Sequence, residues 1–434
     1  MKKLLYGIIL LVWTVVLFTT ALAQEYTLSD LYSQALKNSE KMKMAQENLN
    51  ISQYGKDKAW AVLIPRVTAF GTYNRFSESK YNSTNTVLIQ PLESGNWGVR
   101  ADQSFSLSVR ELTALKVAGQ TITKSEFDLD ATKADFVLIV ASSYYDVMKA
   151  KKALEIAAAN MERLTSYRNS VEKRVKVGEL TKTALLRSEG ELSGARADYL
   201  RATNMFQLSR FALVRITGIE DEFRLKETPL PVQDNISLAN LRNIAFDKRA
   251  DLKSYDMQAQ MAQGYVSYAR GAFWPSLSVF AIYNGTDQSP VGPTLNRETL
   301  FSGVSLLFPF FEGGLRVAEY REAKAKERQA KLAYDDFKKN VDIELQAAYL
   351  DLQTQKGALQ FSEDQLIFAQ DNYGAVVRQF DNGLATNLDV MDANSLLLSA
   401  EKNVAEAYYN CQLAYLRVKR SNGTLLHFVI SSNQ

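Results

Sequence analysis

The chain has 434 residues, of which 46% are hydrophobic, and a formal net charge of +3 at pH 7. This length supports a large core, and the near-neutral charge gives no reason to expect nucleic acid as a partner. There is one cysteine, Cys411, and one histidine, His427, which excludes an intrachain disulfide and any site built on two histidines. The sequence therefore predicts no cofactor and no metal site, and His427 is expected to lie in a loosely held C-terminal tail.

The first 23 residues have the pattern of an export signal. Lys2 and Lys3 precede an uncharged apolar run over 4–24, and Ala21-Leu22-Ala23 carries the small-x-small motif that a signal peptidase cuts. We expect a signal peptide over 1–23, cleaved after Ala23, and an exported mature protein. The alternative is an uncleaved anchor, because the run is long enough to span a bilayer.

The rest of the chain reads as two copies of one unit. LSDLYSQAL at Leu28 corresponds to LANLRNIAF at Leu238, an offset of 210 positions, and further on an offset of 205 pairs Gly178 with Gly383. Internal repeats of this kind define the architecture before local structure does. We predict a first repeat over 24–218, a linker over 219–236, a second repeat over 237–424 and a tail over 425–434.

Each copy is predicted to begin with one helix followed by two strands. Thr27 with Asp30 is a capping-box pattern, and Ser237 with Asn240 is a weaker one. Period-two alternation over 67–74 and 277–284 then predicts strands. A polar loop and a second strand follow in each copy, near 97–107 and 299–308.

Long helices with a seven-residue apolar repeat come next. The row runs from Leu115 to Val171 in the first copy and from Leu345 to Phe380 in the second. Sustained heptads are typical of coiled coils, and a helix over 112–176 would be roughly 100 Å long at ~1.5 Å per residue. Glycines then end both helices, because glycine adopts the left-handed conformation of a helix C-terminus. A return helix with its own heptad row follows each turn.

Four strands are too few to close a barrel by themselves. An open four-stranded sheet would leave two unpaired edges, which lipid does not tolerate. Transmembrane barrels need at least about eight strands. Several chains must therefore pool their strands. Two chains would give eight strands and three would give twelve, and a twelve-stranded ring leaves room for a lumen.

The chain resembles the TolC family of outer-membrane efflux ducts in three features. These are the duplicated helix–strand–strand–helix–helix halves, the export signal, and the tip glycine that is followed by Asp389-Val390-Met391-Asp392. The resemblance covers essentially the whole mature chain. It implies a mostly α fold with a small β part, in which long coiled-coil hairpins and four strands per chain form a homotrimer. The trimer would build a 12-stranded transmembrane β-barrel continued by a periplasmic α-barrel.

The same resemblance implies a location and a set of partners. The protein would lie in the cell outer membrane and extend into the periplasm. Its partners would be outer-membrane lipid, a periplasmic adaptor (membrane fusion) protein and an inner-membrane pump of the RND or ABC type. Cargo is chosen by the pump in such systems, so the sequence names neither cargo nor pump.

The resemblance also assigns roles to residues at the helical turns. Asp389 and Asp392 from three chains would ring the narrowest point, where packed carboxylates raise one another's pKa and attract cations. The alternative is that both acids are solvated residues at a helix start, which the helix dipole also favours. Four turn residues match the family's adaptor-contacting tip: Val177, Gly178, Gly383 and Leu384.

The first copy departs from the family pattern at the corresponding stretch. Ala184 stands where the second copy has Asp389, and Glu189 stands where it has Asn394. Lys182 and Arg187 lie nearby. No single charged partner that would latch a closed tip follows from the sequence.

An enzyme and a tether are the two alternatives from other functional classes. The chain has no phosphate loop, no GxGxxG and no metal-ligand cluster, and its SxxK match at Ser77–Lys80 lies in a predicted loop without partner motifs. A secreted or membrane-anchored coiled-coil tether would explain the long helices but leave the strands without a role. These features argue against both alternatives, and the resemblance implies a non-enzymatic exit duct of a tripartite efflux or type I secretion system.

Overall fold

The computed structural model describes residues 24–84, 86–227, 229–230, 237–292 and 295–431. The predicted signal peptide lies outside these residues, as do seven of the 18 residues of the predicted linker, 228 and 231–236. The described part is mostly helical, as predicted. None of its helices has the length and hydropathy of a membrane-spanning helix.

The helices follow the predicted order. Nine occur among the described residues: α1 (Leu28–Asn38), α2 (Glu40–Ala61), α3 (Arg110–Lys176), α4 (Lys182–Thr217), α5 (Leu238–Lys248), α6 (Ala250–Gly271), α7 (Leu315–Asp381), α8 (Asn387–Ser421) and α9 (Leu425–Ser431). Helices α3 and α7 have 67 residues each. The two long heptad helices are therefore confirmed, as are the return helices α4 and α8.

The single helix predicted at the start of each copy is broken in two. Ser39 separates α1 from α2, and Arg249 separates α5 from α6, both in an extended conformation. The prediction of a continuous helix was wrong because the break carries no proline or glycine, and one extended residue leaves little trace in an apolar pattern. At the first start the capping box is confirmed, since Thr27 and Asp30 exchange hydrogen bonds. Ser237 makes no side-chain cap bond.

The strands are of two kinds. Four long ones match the prediction: β2 (Arg66–Arg75), β5 (Glu93–Ser106), β7 (Ser276–Ser289) and β8 (Glu298–Leu307). Four short ones were not predicted: β1 (Gln24–Tyr26), β3 (Lys80–Tyr81), β4 (Leu88–Gln90) and β6 (Phe223–Leu225). Strands β1 and β6 pair in parallel, and β3 and β4 pair antiparallel. Their pairing was missed because two or three residues are too short for a periodic signal.

One compact unit comprises Lys43–Ala131 and Ala250–Val341. It contains an antiparallel sheet in the order β2-β5-β7-β8. Strands β2 and β8 are its edges, and within the described residues neither has a second neighbour.

The register of this sheet separates an apolar face from a polar one. The apolar face carries Val67, Ala69, Tyr73, Trp97, Val99, Ala101, Phe105, Leu277, Val279, Ala281, Tyr283, Leu300, Val304 and Leu306. The polar face carries Arg66, Thr68, Thr72, Asn96, Arg100, Asp102, Ser104, Ser278, Asn284, Thr286, Thr299 and Ser305, together with the apolar Phe70, Phe280, Ile282, Phe301 and Leu307.

Aromatic rings lie over glycines on both faces of the sheet. A Cβ atom added at Gly98 would lie 2.8 Å from the Phe70 ring, and one at Gly303 would lie 2.6 Å from the Phe280 ring. On the apolar face Trp97 covers Gly285 in the same way. Glycine at these positions therefore leaves the space that a large ring fills on the neighbouring strand.

The other unit comprises the described residues within Met1–Met42, Thr132–Arg249 and Asp342–Gln434. Its main core joins α1, α3, α4, α8 and α9. Leu425 and Val429 of α9 are buried there, so the last described residues are not a loose tail, although His427 itself is exposed. Cys411 is also buried, and its thiol is free.

Within this unit, α3 and α8 form the central helix pair. Arg163 of α3 donates two hydrogen bonds of 2.9 Å to the carboxylate of Glu401 on α8. Helix α4 packs on α3, where Leu192 is buried in one cluster with Leu164. Helix α7 packs on α8, where Ala369 and Leu397 share a second cluster. Helices α4 and α7 are thus the outer helices of a four-helix layer.

Candidate functional site

Glycine turns join the helices at one end of this layer, as predicted. Gly178 has a φ of +82° and Gly383 a φ of +73°. In each turn the N–H of the residue after glycine donates to a carbonyl five residues earlier, from Glu179 to Arg174 at 2.9 Å and from Leu384 to Gln379 at 2.8 Å. This is the Schellman arrangement that satisfies the last carbonyls of a helix.

The two turns expose apolar side chains. Val177 is 71% exposed and Leu384 is 81% exposed. Apart from the two chain neighbours of each glycine, no described residue has an atom within 4 Å of a Cβ atom added at either turn glycine. The glycines are therefore required by the backbone conformation and not by close packing.

Asp389 lies in the first turn of α8 and closes a capping box with Thr386. Its Oδ2 accepts the backbone N–H and the hydroxyl of Thr386, each at 2.7 Å. Its own N–H donates to Thr386 Oγ1 at 3.3 Å. The Thr386 hydroxyl first, and then the Thr386 N–H, lower the pKa of the Asp389 carboxyl below its ordinary value. In a single chain, Asp389 is thus an ionised helix cap on an exposed surface.

Asp392 lies three residues further along α8 and is exposed. Among the described residues, none forms an ion pair or a side-chain hydrogen bond with its carboxylate. Asp389 and Asp392 share one side of the helix, but the chain uses only Asp389 in its own fold. Of the two acids, Asp392 is the one whose charge remains available.

The equivalent stretch of the first copy is capped differently. Thr181 accepts the N–H of Ala184 at 3.3 Å, but no carboxylate completes a box. Ala184 packs beside the buried cluster that contains Leu164 and Tyr167. Glu189 accepts a hydrogen bond of 2.8 Å from Arg168. Lys182 and Arg187 are exposed, and neither contacts Asp389 in the chain.

Arg174 links the ends of the two long helices, and sequence reasoning missed it. From the last turn of α3 its guanidinium donates to the carbonyl of Phe380 at 3.0 Å, and to the carbonyl and carboxylate of Asp381 at 3.2 and 3.1 Å. It also lies 4.9 Å from the centre of the Phe380 ring. The only sequence signal was a basic residue near a helix end, which predicts an interaction with its own helix.

Tyr167 makes a second link beneath the turns. Its hydroxyl donates to Asn387 Oδ1 at 2.5 Å, and its ring lies 5.3 Å from that of Phe380. Leu164, Val171, Val390 and Met391 surround these rings. The turn residues therefore rest on a common apolar base, which fixes Asp392 relative to both turns.

The described residues contain no group of three or more His, Cys, Asp or Glu side chains close enough to hold a metal ion. One chain thus supplies two neighbouring carboxylates at the turns. Any larger ring of charge needs further copies.

Comparison with known proteins gives a consistent result. The family model described as outer membrane efflux protein matches residues 31–219 and 241–424. The chain is 24% identical over 412 residues to outer membrane protein TolC of Vibrio cholerae, which covers 92% of this chain and 91% of the relative. It is 20% identical over 430 residues to outer membrane efflux protein BepC of Brucella suis, with 98% and 91% covered. The crystal structure of the Vibrio cholerae outer membrane protein VceC has the same fold, with a TM-score of 0.77, 19% identity, and 91% and 96% covered.

Proposed function

The chain belongs to the outer membrane efflux protein family, and on that premise we propose that three copies of it assemble into one duct. The protein is an outer-membrane exit channel of the efflux and secretion type. The family is one of channel proteins, and we assign the chain no catalytic activity.

The observation that carries the proposed assembly is the open four-stranded sheet. The backbone N–H and C=O groups along the free edges of β2 and β8 would be unsatisfied in a bilayer, at several kcal/mol each. Pairing β8 of one copy with β2 of the next satisfies both edges. Two copies would give an eight-stranded barrel, and side chains would fill its interior. Three copies would give a twelve-stranded barrel, which leaves a lumen.

The apolar face of the sheet is the one we orient toward lipid. It is rich in Val, Leu and Ala and carries Tyr73, Trp97 and Tyr283 near one end, as the aromatic girdle of a membrane barrel does. The opposite face, with Arg100 and Asp102, would line the lumen. Five apolar side chains also lie on that face. Phe70 and Phe280 each cover a glycine, and Phe301 packs edge-on against Phe280, with 6.3 Å between the ring centroids.

The constriction of the duct is proposed to lie where Asp392 from three copies converges at the helical turns. Asp389 would lie one helical turn away and contribute to the same field. Like charges held a few ångströms apart raise one another's pKa, which opposes the lowering that Thr386 imposes on Asp389. A throat of this kind would favour cations and bind divalent or trivalent ones.

The periplasmic adaptor is proposed to contact the exposed turns. Val177 and Leu384 present apolar side chains there, and the turn glycines set their direction. An inner-membrane pump would act through this adaptor and would select the cargo.

Mass measurement on the detergent-solubilised, envelope-derived protein tests the assembly. The expected result is a mass of three chains after correction for bound detergent, and a trimer band that dissociates on heating. A folded, stable monomer or dimer would contradict the proposal.

A further inference from the structure

Apolar side chains interrupt the polar face of the sheet near the middle of β5, β7 and β8. Phe280 of β7 lies beside Gly303 of β8. The next row along the strands holds Arg100, Ile282 and Phe301, one on each of the three strands. The interior of a membrane barrel is normally polar, so a group of apolar side chains is unusual on the face that we orient toward the lumen.

These side chains form a recess with a floor and two sides. The Phe280 ring is the floor, and it lies so close over Gly303 that a Cβ atom added there would be 2.6 Å from its Cζ atom. From β8, the Phe301 ring stands at 84° to the Phe280 ring. From β5, on the opposite side, the guanidinium carbon of Arg100 lies 5.7 Å from the centre of the Phe280 ring. The recess therefore combines two aromatic rings with one cation.

The glycine accounts for the position of Phe280 but not for that of Phe301. A ring that covers a glycine fills a gap in the sheet. Phe301 gains an edge contact with Phe280, yet 46% of it remains exposed. Apolar surface left in water is unfavourable, and an apolar group bound in the recess would cover it.

The recess carries positive charge that the chain does not neutralise. Asp102 contacts the Nε atom of Arg100 at 3.2 Å, and the two Nη groups of Arg100 have no acceptor among the described residues. Arg66 lies opposite Asp102 on β2 and forms no ion pair with any described residue. Two arginines and one aspartate give this part of the face a formal charge of +1. A guanidinium with free Nη groups is suited to bind a carboxylate, sulfonate or phosphate through parallel hydrogen bonds.

We propose that the recess binds transported solutes that carry an aromatic ring beside an anionic group. The ring packs on Phe280 and against Phe301, and the anion accepts hydrogen bonds from the Nη groups of Arg100. Sites for small molecules combine apolar walls with a few directed polar groups in this way. Each of three copies would contribute one recess to the barrel. The inference rests on the proposed duct and on the orientation of its sheet, and it adds the class of solute that the barrel retains.

Block of the ion current by three probes tests the chemistry of the recess. Naphthalenesulfonate has the ring and the anion, methanesulfonate has the anion alone, and naphthylmethylammonium has the ring with the opposite charge. Each probe is added at the barrel end of the trimer in a planar bilayer. Naphthalenesulfonate should block with a dissociation constant about tenfold below that of either control, because only it uses both the rings and Arg100.

Matched substitutions locate the block. Arg100→Gln should raise the dissociation constant of naphthalenesulfonate about tenfold, and Phe301→Ala should raise it about threefold. Arg66→Gln removes the same charge two strands from Phe280, roughly 10 Å away. In about 0.15 M salt, where the screening length is about 8 Å, this control should change the constant no more than about twofold. Phe280 itself is left intact, because the sheet needs its ring over Gly303.

Thiol labelling tests the orientation on which the recess depends. In the Cys411→Ala background, Phe301→Cys should react with a charged, membrane-impermeant thiol reagent, and the current should fall. Val304→Cys is the matched control, since it lies on the same strand and the other face, and it should not react.

Two results would overturn the inference and leave the proposed function standing. One is equal block by naphthalenesulfonate and methanesulfonate in a conducting protein with the mass of a trimer. The other is an equal loss of block in Arg66→Gln and Arg100→Gln, which would mean that only the overall charge acts. Labelling of Val304→Cys but not of Phe301→Cys would instead refute the proposed orientation, and a monomeric mass would refute the assembly.

Discussion

The turn after α3 and the turn after α7 have the same backbone conformation but differ in the charge of the residues that follow them. Both place glycine in the left-handed region, both form the same pair of closing hydrogen bonds, and both start the next helix with a capping threonine. After that threonine the first copy continues with Lys182 and Arg187, and the second with Asp389 and Asp392. The backbone geometry restricts residue choice at the glycine and the threonine, and leaves the exposed positions free to diverge.

The burial of one position explains part of the difference. Ala184 packs beside the cluster under the turns, whereas its equivalent, Asp389, is exposed. A carboxylate at position 184 would lose water without gaining a basic partner, which costs free energy. The second copy alone therefore has room for a capping acid, and with it a local field of negative charge.

The largest expected effect is a change in ion selectivity when the negative charge at the second turn is removed, with no such change at the first turn. Asp392→Ala should lower the cation-over-anion permeability ratio about tenfold or more, because about 1.4 kcal/mol of lost attraction is a factor of ten and three copies lose a charge each. Arg187→Ala, the control in the first copy, should leave the ratio nearly unchanged. Reversal potentials in planar bilayers measure both. Wild-type selectivity in the Asp392 variant would mean that the constriction lies elsewhere.

Replacing the turn glycines tests what the two turns have in common. Gly178→Val and Gly383→Val should each cost about 1–2 kcal/mol, since a β-branched residue is strained at positive φ. The expected costs are equal because the open space around both glycines is the same. Amide hydrogen exchange of the residues that close each turn gives the local opening free energy. A cost at one turn alone would contradict the equivalence of the two backbones.

Removing the capping hydroxyls should destabilise the second turn more than the first, and this difference in free energy should be smaller than the effect on selectivity. Thr386→Val deletes a cap and also releases Asp389, so it should cost about 1–2 kcal/mol, whereas Thr181→Val should cost about 0.5–1 kcal/mol. Valine keeps the shape of threonine and makes the pair a matched control. Exchange rates of the Asp389 and Ala184 amides, which donate to the two hydroxyls, report on each cap. Equal costs would mean that the Asp389 carboxylate contributes nothing to the fold.

The smallest expected effect is a loss of local stability at low pH, which only the second turn should show. Thr386 lowers the pKa of Asp389 in the folded chain, so this cap stabilises α8 above the ordinary aspartate pKa of about 3.9. The stabilisation is lost as the pH falls through the lower, folded pKa. Exchange of the Asp389 amide, corrected for its intrinsic pH dependence, should therefore rise in that range, while that of Ala184 should not. Loss of protection already near pH 6 would show that repulsion among copies outweighs the cap.

Sequence patterns predicted the long elements and failed at single residues. Mainly apolar residues that recur at every seventh position predicted α3 and α7, because a helix places such residues on one side. The turn glycines were equally clear, since positive φ admits few other residues. The breaks at Ser39 and Arg249 were invisible, because any residue adopts an extended conformation.

The sequence predicts residues at the turns whose position follows from the local backbone. It does not predict residues whose position follows from contacts with distant parts of the chain. Asp389 and Asp392 were singled out because they match the family pattern after the second turn, but only the structure separates the capping acid, Asp389, from Asp392. Arg174 was missed because its acceptors lie more than 200 positions away in the chain. The orientation that we propose for the sheet likewise depends on the strand register, which places Phe70 and Phe280 over glycines.

The equal length of α3 and α7 restricts which insertions the protein tolerates. Each helix has 67 residues, and an insertion of one residue would rotate everything after it by about 100°, which moves the heptad row off its partner. Seven residues, or about 10.5 Å, is the smallest insertion that keeps the row in place. An insertion in one copy alone would leave the two turns at different levels, and the link from Arg174 to Asp381 could not form. Viable length variants of this protein should therefore come in multiples of seven, appear in both halves of the gene, and be matched in the return helices.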